Sequence, residues 1–326
     1  MKLATCSKSG VRIVGVVDVD RDVVIDLQQL HQTLHGSRSA VLASMLDLIE
    51  AGERGLELVR SLVERSDPGD ADYTFALASA TLLAPLPRPT QLRDFSVFPA
   101  HLRGAPKGLA QVALAAEGAN ASFKAAGEGY PPIYDREPVF YFSNRMSVAG
   151  HGATVEWPPA VKFLDFELEM AVCIGRTGKN IAASLAAEHV FGYLIFNDVS
   201  ARDAQARQVP AGLGPCKGKS YDGCNILGPW IVTRDELPDP YRLNVEVRVN
   251  GEVWTRSTTA DMLHRFEDMI AFASAGETVH AGEVFGSGTV SGCCSLESGR
   301  WMKPGDVLEL TIEGIGTLGN RFGTTS

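Results

Sequence analysis

Between residues 163 and 174 the chain reads Phe-Leu-Asp-Phe-Glu-Leu-Glu-Met-Ala-Val-Cys-Ile, with apolar residues at every even position and Asp165, Glu167 and Glu169 at consecutive odd ones. That two-residue period belongs to a strand and sends the three carboxylates out from one face. A half-exposed strand would turn such a face to water. Here Ala171 and Cys173 return the same face to apolar character, so the acids are expected to be enclosed. Enclosed carboxylates require a cation, a basic partner or a proton. Glu167 and Glu169 can reach one point from the same side, and Asp198 supplies a further oxygen where the apolar run 190–196 ends. Oxygen ligands without neighbouring Cys or His suit a hard ion such as Mg2+, Mn2+ or Ca2+ rather than zinc.

Two strands, 163–174 and 190–196, joined by a short helix, therefore have to position this chemistry. Beyond them, 201–208 has the spacing of a helix that would set Arg202 and Gln205 a turn apart at the rim of the site. Residues 214–220 imitate a phosphate loop, but Leu213 stands where its first glycine is required. Gly286 and Gly288 lack the rest of a dinucleotide fingerprint.

The strings Leu-Asp-Phe-Glu-Leu-Glu-Met-Ala (164–171), Phe-Asn-Asp-Val-Ser-Ala-Arg-Asp (196–203), Gly218-Lys219-Ser220 and Ser287-Gly288-Thr289-Val290-Ser291-Gly292 occur in an order that resembles the fumarylacetoacetate hydrolase superfamily over residues 90–326. The resemblance implies Asp94, Glu167, Glu169 and Asp198 as ligands of a divalent cation, Mg2+ or else Mn2+ or Ca2+. It implies His101, seven residues after Asp94, as a general base oriented by Glu297. Lys219, Arg202, Gln205 and Thr289 would hold or polarise the substrate. The implied activity is hydrolysis of a carbon–carbon bond in a small 1,3-dicarbonyl acid resembling fumarylacetoacetate or an acylpyruvate. A decarboxylase or isomerase of a 2-oxo acid such as oxaloacetate is the alternative, and a binding protein that lost turnover is the reading from another class. The chain departs from the true fumarylacetoacetases in having Ser96 and Gln208 where they have tyrosines. Asn144 and Arg145 stand where several smaller relatives have a lysine.

The resemblance also implies the fold: an α+β protein whose C-terminal region is a mixed β-sandwich roll, generally homodimeric. The residue pattern supports the α+β class through many short strands and few long helices. Residues 83–89 carry three prolines in alternate positions and suggest a boundary, with a small α+β N-terminal domain over 1–88 and a catalytic domain over 89–326. In the first, β-prone pieces at 11–17 and 23–27 precede helical spacing at 37–51 and 54–65; in the second, 101–129 is expected to form helical pieces that move as a lid, and Asn250-Gly251 marks a hairpin. A net charge of -9 with no run of Lys and Arg speaks against nucleic acid as a partner. No stretch reads as a membrane span or signal peptide, so the cytoplasm is the expected compartment. Six cysteines without a C-x-x-C or a paired framework are expected to be reduced thiols.

Overall fold

A computed structural model describes residues 1–67, 69–118, 121, 123 and 129–323. Among these, one mixed sheet carries twelve strands, ten of them in a continuous path. From one edge the path runs Thr74–Ala76, Val23–Asp26, Val11–Asp18, Lys2–Lys8, Asn225–Thr233, Val190–Asp198, Leu168–Ile174, Val284–Gly286, Leu92–Phe95 and Phe140–Phe142. A second sheet of five strands runs Glu252–Thr258, Asn244–Val249, Val307–Ile312, Gly316–Gly323 and Thr154–Glu156. Helices and two large sheets make this an α+β protein.

The strand Leu168–Ile174 shows how the sequence selects this arrangement. Every residue in it is buried, because it lies between Val190–Asp198 and Val284–Gly286 with packed layers on both faces. Leu168, Met170, Val172 and Ile174 join one core with Val245, Val247, Leu308 and Leu310 of the five-stranded sheet, which makes the sandwich. Ala171 and Cys173 join a second core with Leu3, Leu27, Leu30, Leu48 and Val59. The two-residue alternation therefore separates two cores rather than core from water. Burying a leucine of this kind contributes roughly 1.5–3 kcal/mol.

That second core is supplied largely by the N-terminal region. Its helices Leu27–His35, Met45–Glu50 and Glu53–Glu64 present apolar stripes to the sheet. The first of them starts at Asp26, whose side chain accepts from Gln28 N and Gln29 N, the N-cap arrangement. The strand Lys2–Lys8 pairs with Asn225–Thr233, so the sheet runs without interruption across the boundary expected at residue 88. The hairpin expected at Asn250-Gly251 joins Asn244–Val249 to Glu252–Thr258, with both turn residues at positive φ. Part of the region expected as a lid forms the helix Pro99–Glu117, opened by Pro99 in its first turn. The rest, from 119 onward, falls mostly outside the described residues.

One expectation is corrected. Residues 163–174 do not form a single strand that sends three acids from one face. Leu164–Asp165 pairs with Ser200–Ala201, and Leu168–Ile174 belongs to the large sheet. Between them the Phe166 N–H donates to Asp165 Oδ1 and the Glu167 N–H to Asn197 Oδ1, so side-chain oxygens replace ladder partners and the chain turns. Asp165 is directed elsewhere as a result.

Candidate active site

Three chain segments bring carboxylates together. Asp94 lies on Leu92–Phe95, which runs parallel to Val284–Gly286. Glu169 lies on the central strand, and Asp198 closes the strand beside it. Asp94, Glu169 and Asp198, all buried, can each offer an oxygen such that the three lie within 4.8 Å of one another. Room for the Glu169 carboxylate depends on a glycine: a Cβ at Gly286 would lie 2.6 Å from Glu169 Oε2. Gly288, at φ +78, then turns its N–H onto that same oxygen at 3.0 Å.

One oxygen from each of these acids, Asp94 Oδ1, Glu169 Oε1 and Asp198 Oδ1, is buried with no hydrogen-bond partner. Leaving such atoms bare is costly, so these three atoms together point to a ligand. Burial, reinforced by the Asp198 charge, pushes the Asp94 carboxyl well above the usual carboxylate range. Burial and then the charges of Asp94 and Asp198 do the same to Glu169. An all-oxygen, electronegative, dry cluster fits a hard divalent cation.

Glu167 has a different setting. Its Oε1 accepts from Arg202 Nη2 at 2.6 Å, and its other oxygen is ion-paired with the Lys219 ammonium, which also contacts Asp198. Burial opposes ionisation of Glu167, but Arg202 and Lys219 outweigh it and hold the carboxyl below its ordinary value. Arg202, itself buried, is also bound by Asp165 Oδ2 at 2.7 Å and donates to Gln205 Oε1 at 2.9 Å. Asp165 Oδ1 accepts from Ser295 N, so the displaced third acid anchors the guanidinium and the 294–298 turn.

The helix Pro99–Glu117 delivers His101. Its Nδ1 lies 2.9 Å from Glu297 Oε2, and its Nε2 lies 3.9 Å from Glu167 Oε1. Glu297 also accepts from the Gly292 N–H at 3.0 Å. Burial raises the Glu297 carboxyl, but the hydrogen bond and charge of His101 more than reverse this and hold it below the usual range. The helix comes close because Gly104 and Gly108 lie against Glu297 and Leu296, where a Cβ at Gly108 would meet the Leu296 carbonyl at 2.2 Å.

Of the ten residues singled out in the sequence, all but Asp198 and Glu297 line one cavity of about 390 Å³. Asp198 lies buried beneath it and Glu297 stands behind His101. Thr289 lines the cavity with its hydroxyl buried and unpartnered. Phe95, Leu102, Leu109, Phe140, Val209 and Leu296 add apolar surface to its wall. Tyr141 was missed. Its hydroxyl lies 2.6 Å from Asp94 Oδ2 and 2.7 Å from Asp198 Oδ2. The signal was available only through pairing, because Tyr141 sits opposite Asp94 in the antiparallel register.

A carboxylate cluster beside an imidazole–carboxylate pair, lining a partly apolar cavity of a mixed sheet, is the kind of arrangement from which enzymes build a reaction centre. The family model for the fumarylacetoacetate (FAA) hydrolase C-terminal region matches residues 110–323, and the chain belongs to that family of enzymes. Oxaloacetate tautomerase YisK of Bacillus subtilis (strain 168) is 30% identical over 328 residues, covering 99% of this chain and 100% of that protein. The fumarylacetoacetate hydrolase of psychrophilic Exiguobacterium antarcticum superposes with a TM-score of 0.73 at 28% identity, with both chains covered in full. A maleylpyruvate hydrolase of Sphingobium sp. SYK-6, solved with manganese(II) and pyruvate, shares the fold at a TM-score of 0.72 and 23% identity over the full length of both chains. A tautomerase and a hydrolase thus both occur among the proteins it is similar to. No helix of the described residues is long and apolar enough to cross a membrane.

Proposed function

We propose that this protein hydrolyses a carbon–carbon bond in a small 1,3-dicarbonyl acid, using a divalent cation held by Asp94, Glu169 and Asp198, with Glu167 as the fourth acid of the set. The observation that carries the reading is the trio of buried, unpartnered carboxylate oxygens, two of them on acids lining a cavity that His101 also lines. When bound, the cation supplies Lewis acidity that stabilises the negative charge developing on the departing fragment.

The chain's own groups perform the remaining steps. Glu297 on Nδ1 fixes the imidazole so that His101 Nε2 takes a proton from water. The hydroxide adds to the carbonyl remote from the carboxylate. Lys219 and Gln205 stand on the cavity wall where the resulting oxyanion needs donors. The carbon–carbon bond then breaks, its electron pair stays with the enol fragment, and a proton completes the second product. Substrate and water thus give one carboxylic acid and one ketonic acid. The apolar wall and a volume of about 390 Å³ leave room for an acyl chain beyond the polar head.

A second reading, keto–enol tautomerisation of oxaloacetate, is favoured by the full-length similarity to YisK. His101 would then shuttle a proton without addition of water. The test follows the enol absorbance of acylpyruvates, fumarylacetoacetate and oxaloacetate, with product analysis and with or without chelator. Chelator-sensitive release of an acid and a ketonic acid supports hydrolysis. Faster equilibration of oxaloacetate tautomers without fragmentation of any compound replaces it with the second reading, and inertness towards all of them overturns both.

A further inference from the structure

Behind the dyad lies a third side chain with no part in the chemistry above. Cys294 Sγ is 3.3 Å from Glu297 Oε2 and 3.8 Å from His101 Nδ1, while those two atoms are 2.9 Å apart. Tetrahedral zinc with one sulfur, one nitrogen and one oxygen ligand spaces its ligand atoms about 3.2–3.6 Å apart, from bond lengths of about 2.0–2.3 Å. The three atoms already stand within a few tenths of an ångström of that arrangement. The donor set differs in kind from the neighbouring one: sulfur and imidazole are borderline-soft, whereas Asp94, Glu169 and Asp198 offer only hard oxygen.

We propose that His101, Cys294 and Glu297 form a second, zinc-selective site whose occupation silences the enzyme by taking the base out of its dyad. Zinc on Nδ1 displaces Glu297 from the imidazole. As the thiolate takes the metal, the Cys294 proton leaves by way of the Glu297 carboxylate to which the thiol donates, and from its exposed edge passes to solvent. Cys294, Leu109, Ala206 and Leu296 belong to one buried apolar cluster, which keeps water from the sulfur side. His101 and Glu297, with side chains 12% and 11% exposed, give the ion its approach. The two sites sort cations by hardness, a hard ion at the acids and zinc at the dyad. This inference stands on the geometry of the three side chains and does not depend on which substrate is cleaved.

Cobalt(II) replaces zinc as a visible probe, added to full-length protein whose acid cluster is kept filled by excess Mg2+. A near-ultraviolet thiolate-to-cobalt charge-transfer band should grow to one equivalent per chain. Cys294→Ser should lose the band, and Cys216→Ser, which removes a half-exposed thiol outside the cluster, should keep it. Absence of the band in the unmodified protein, or its survival in Cys294→Ser, overturns the site. Should Cys294→Ser fail to fold, His101→Gln should weaken cobalt binding at the same band at least tenfold; unchanged affinity overturns it equally.

Discussion

Replacing His101 by alanine removes a group that both lines the cavity and contacts Glu297. The His101–Glu297 contact at 2.9 Å is between groups of low exposure, so the imidazole is held with Nε2 towards the cavity and Glu167. General-base assistance of this kind is worth about 10²- to 10⁴-fold, which corresponds to roughly 2.7–5.5 kcal/mol of barrier at about 1.36 kcal/mol per decade. His101→Ala should therefore lower kcat for dicarbonyl cleavage by that factor. Glu297→Gln keeps a hydrogen bond but removes its charge; a charge-assisted bond is worth about 1.5–3 kcal/mol, so a loss of about 10- to 150-fold is expected. Neither residue belongs to the acid cluster, so both variants should retain the divalent cation. The measurement pairs the decay of enol absorbance under saturating substrate with metal content per chain. A His101→Ala protein within fivefold of the unmodified rate refutes the base assignment, and one that loses its metal refutes the separation of the two roles.

Gly286→Ala places a methyl group 2.6 Å from Glu169 Oε2 and 2.7 Å from Phe196 Cδ1. Overpacking of this kind costs about 1–3 kcal/mol, and cation affinity should fall along with the midpoint of chemical denaturation. Asp94 and Glu169 have carboxyls raised in the folded state, so their contribution to metal-free stability is full below the unfolded value of about 4 and is lost as pH rises through the elevated folded values. The melting temperature in chelator should accordingly fall as pH rises above about 4 and flatten when Mg2+ is added; a rising chelator curve would contradict the sign. Glu167 and Glu297, both lowered, act in the opposite sense, and their contribution is lost as pH falls below about 4. Arg93 is buried between Glu283, itself buried, and Glu277, and lies over the rings of Phe140, Phe142 and Phe285. Arg93→Ala leaves Glu283 uncompensated and should cost about 3–5 kcal/mol, against about 0–1 kcal/mol for the partly exposed Arg60→Ala, as read by urea denaturation.

The chemistry was more legible in the sequence than the scaffolding. Glu169 and Asp198 could be found because a carboxylate at the end of, or within, an apolar run has few innocent explanations. The same period misplaced Asp165, because alternation reports which way a side chain leaves a strand and is silent about where the strand breaks. The break at Phe166 and Glu167 is made by the side-chain oxygens of Asp165 and Asn197, a long-range arrangement that no local window contains. The helix Leu27–His35 was overrun by a strand reading of 23–27, although Asp26 ahead of Leu27 and Leu30 is a cap signal in hindsight. Tyr141 became visible only when pairing set it opposite Asp94. Cys294 was one of six cysteines expected as reduced thiols, and its contact with the dyad depends on the approach of a helix nearly 200 positions earlier in the chain. The enzyme family came through because residues that bind charge are few and chemically distinctive, whereas sheet order depends on which apolar faces meet.

The central claim is that Asp94, Glu169 and Asp198 hold one divalent cation. Its most direct test is an anomalous-scattering map from crystals grown with Mn2+. A single strong peak per chain among the oxygens of these three side chains is expected, and it should vanish in Asp198→Asn. A manganese peak elsewhere, or none at saturating Mn2+, would contradict the account.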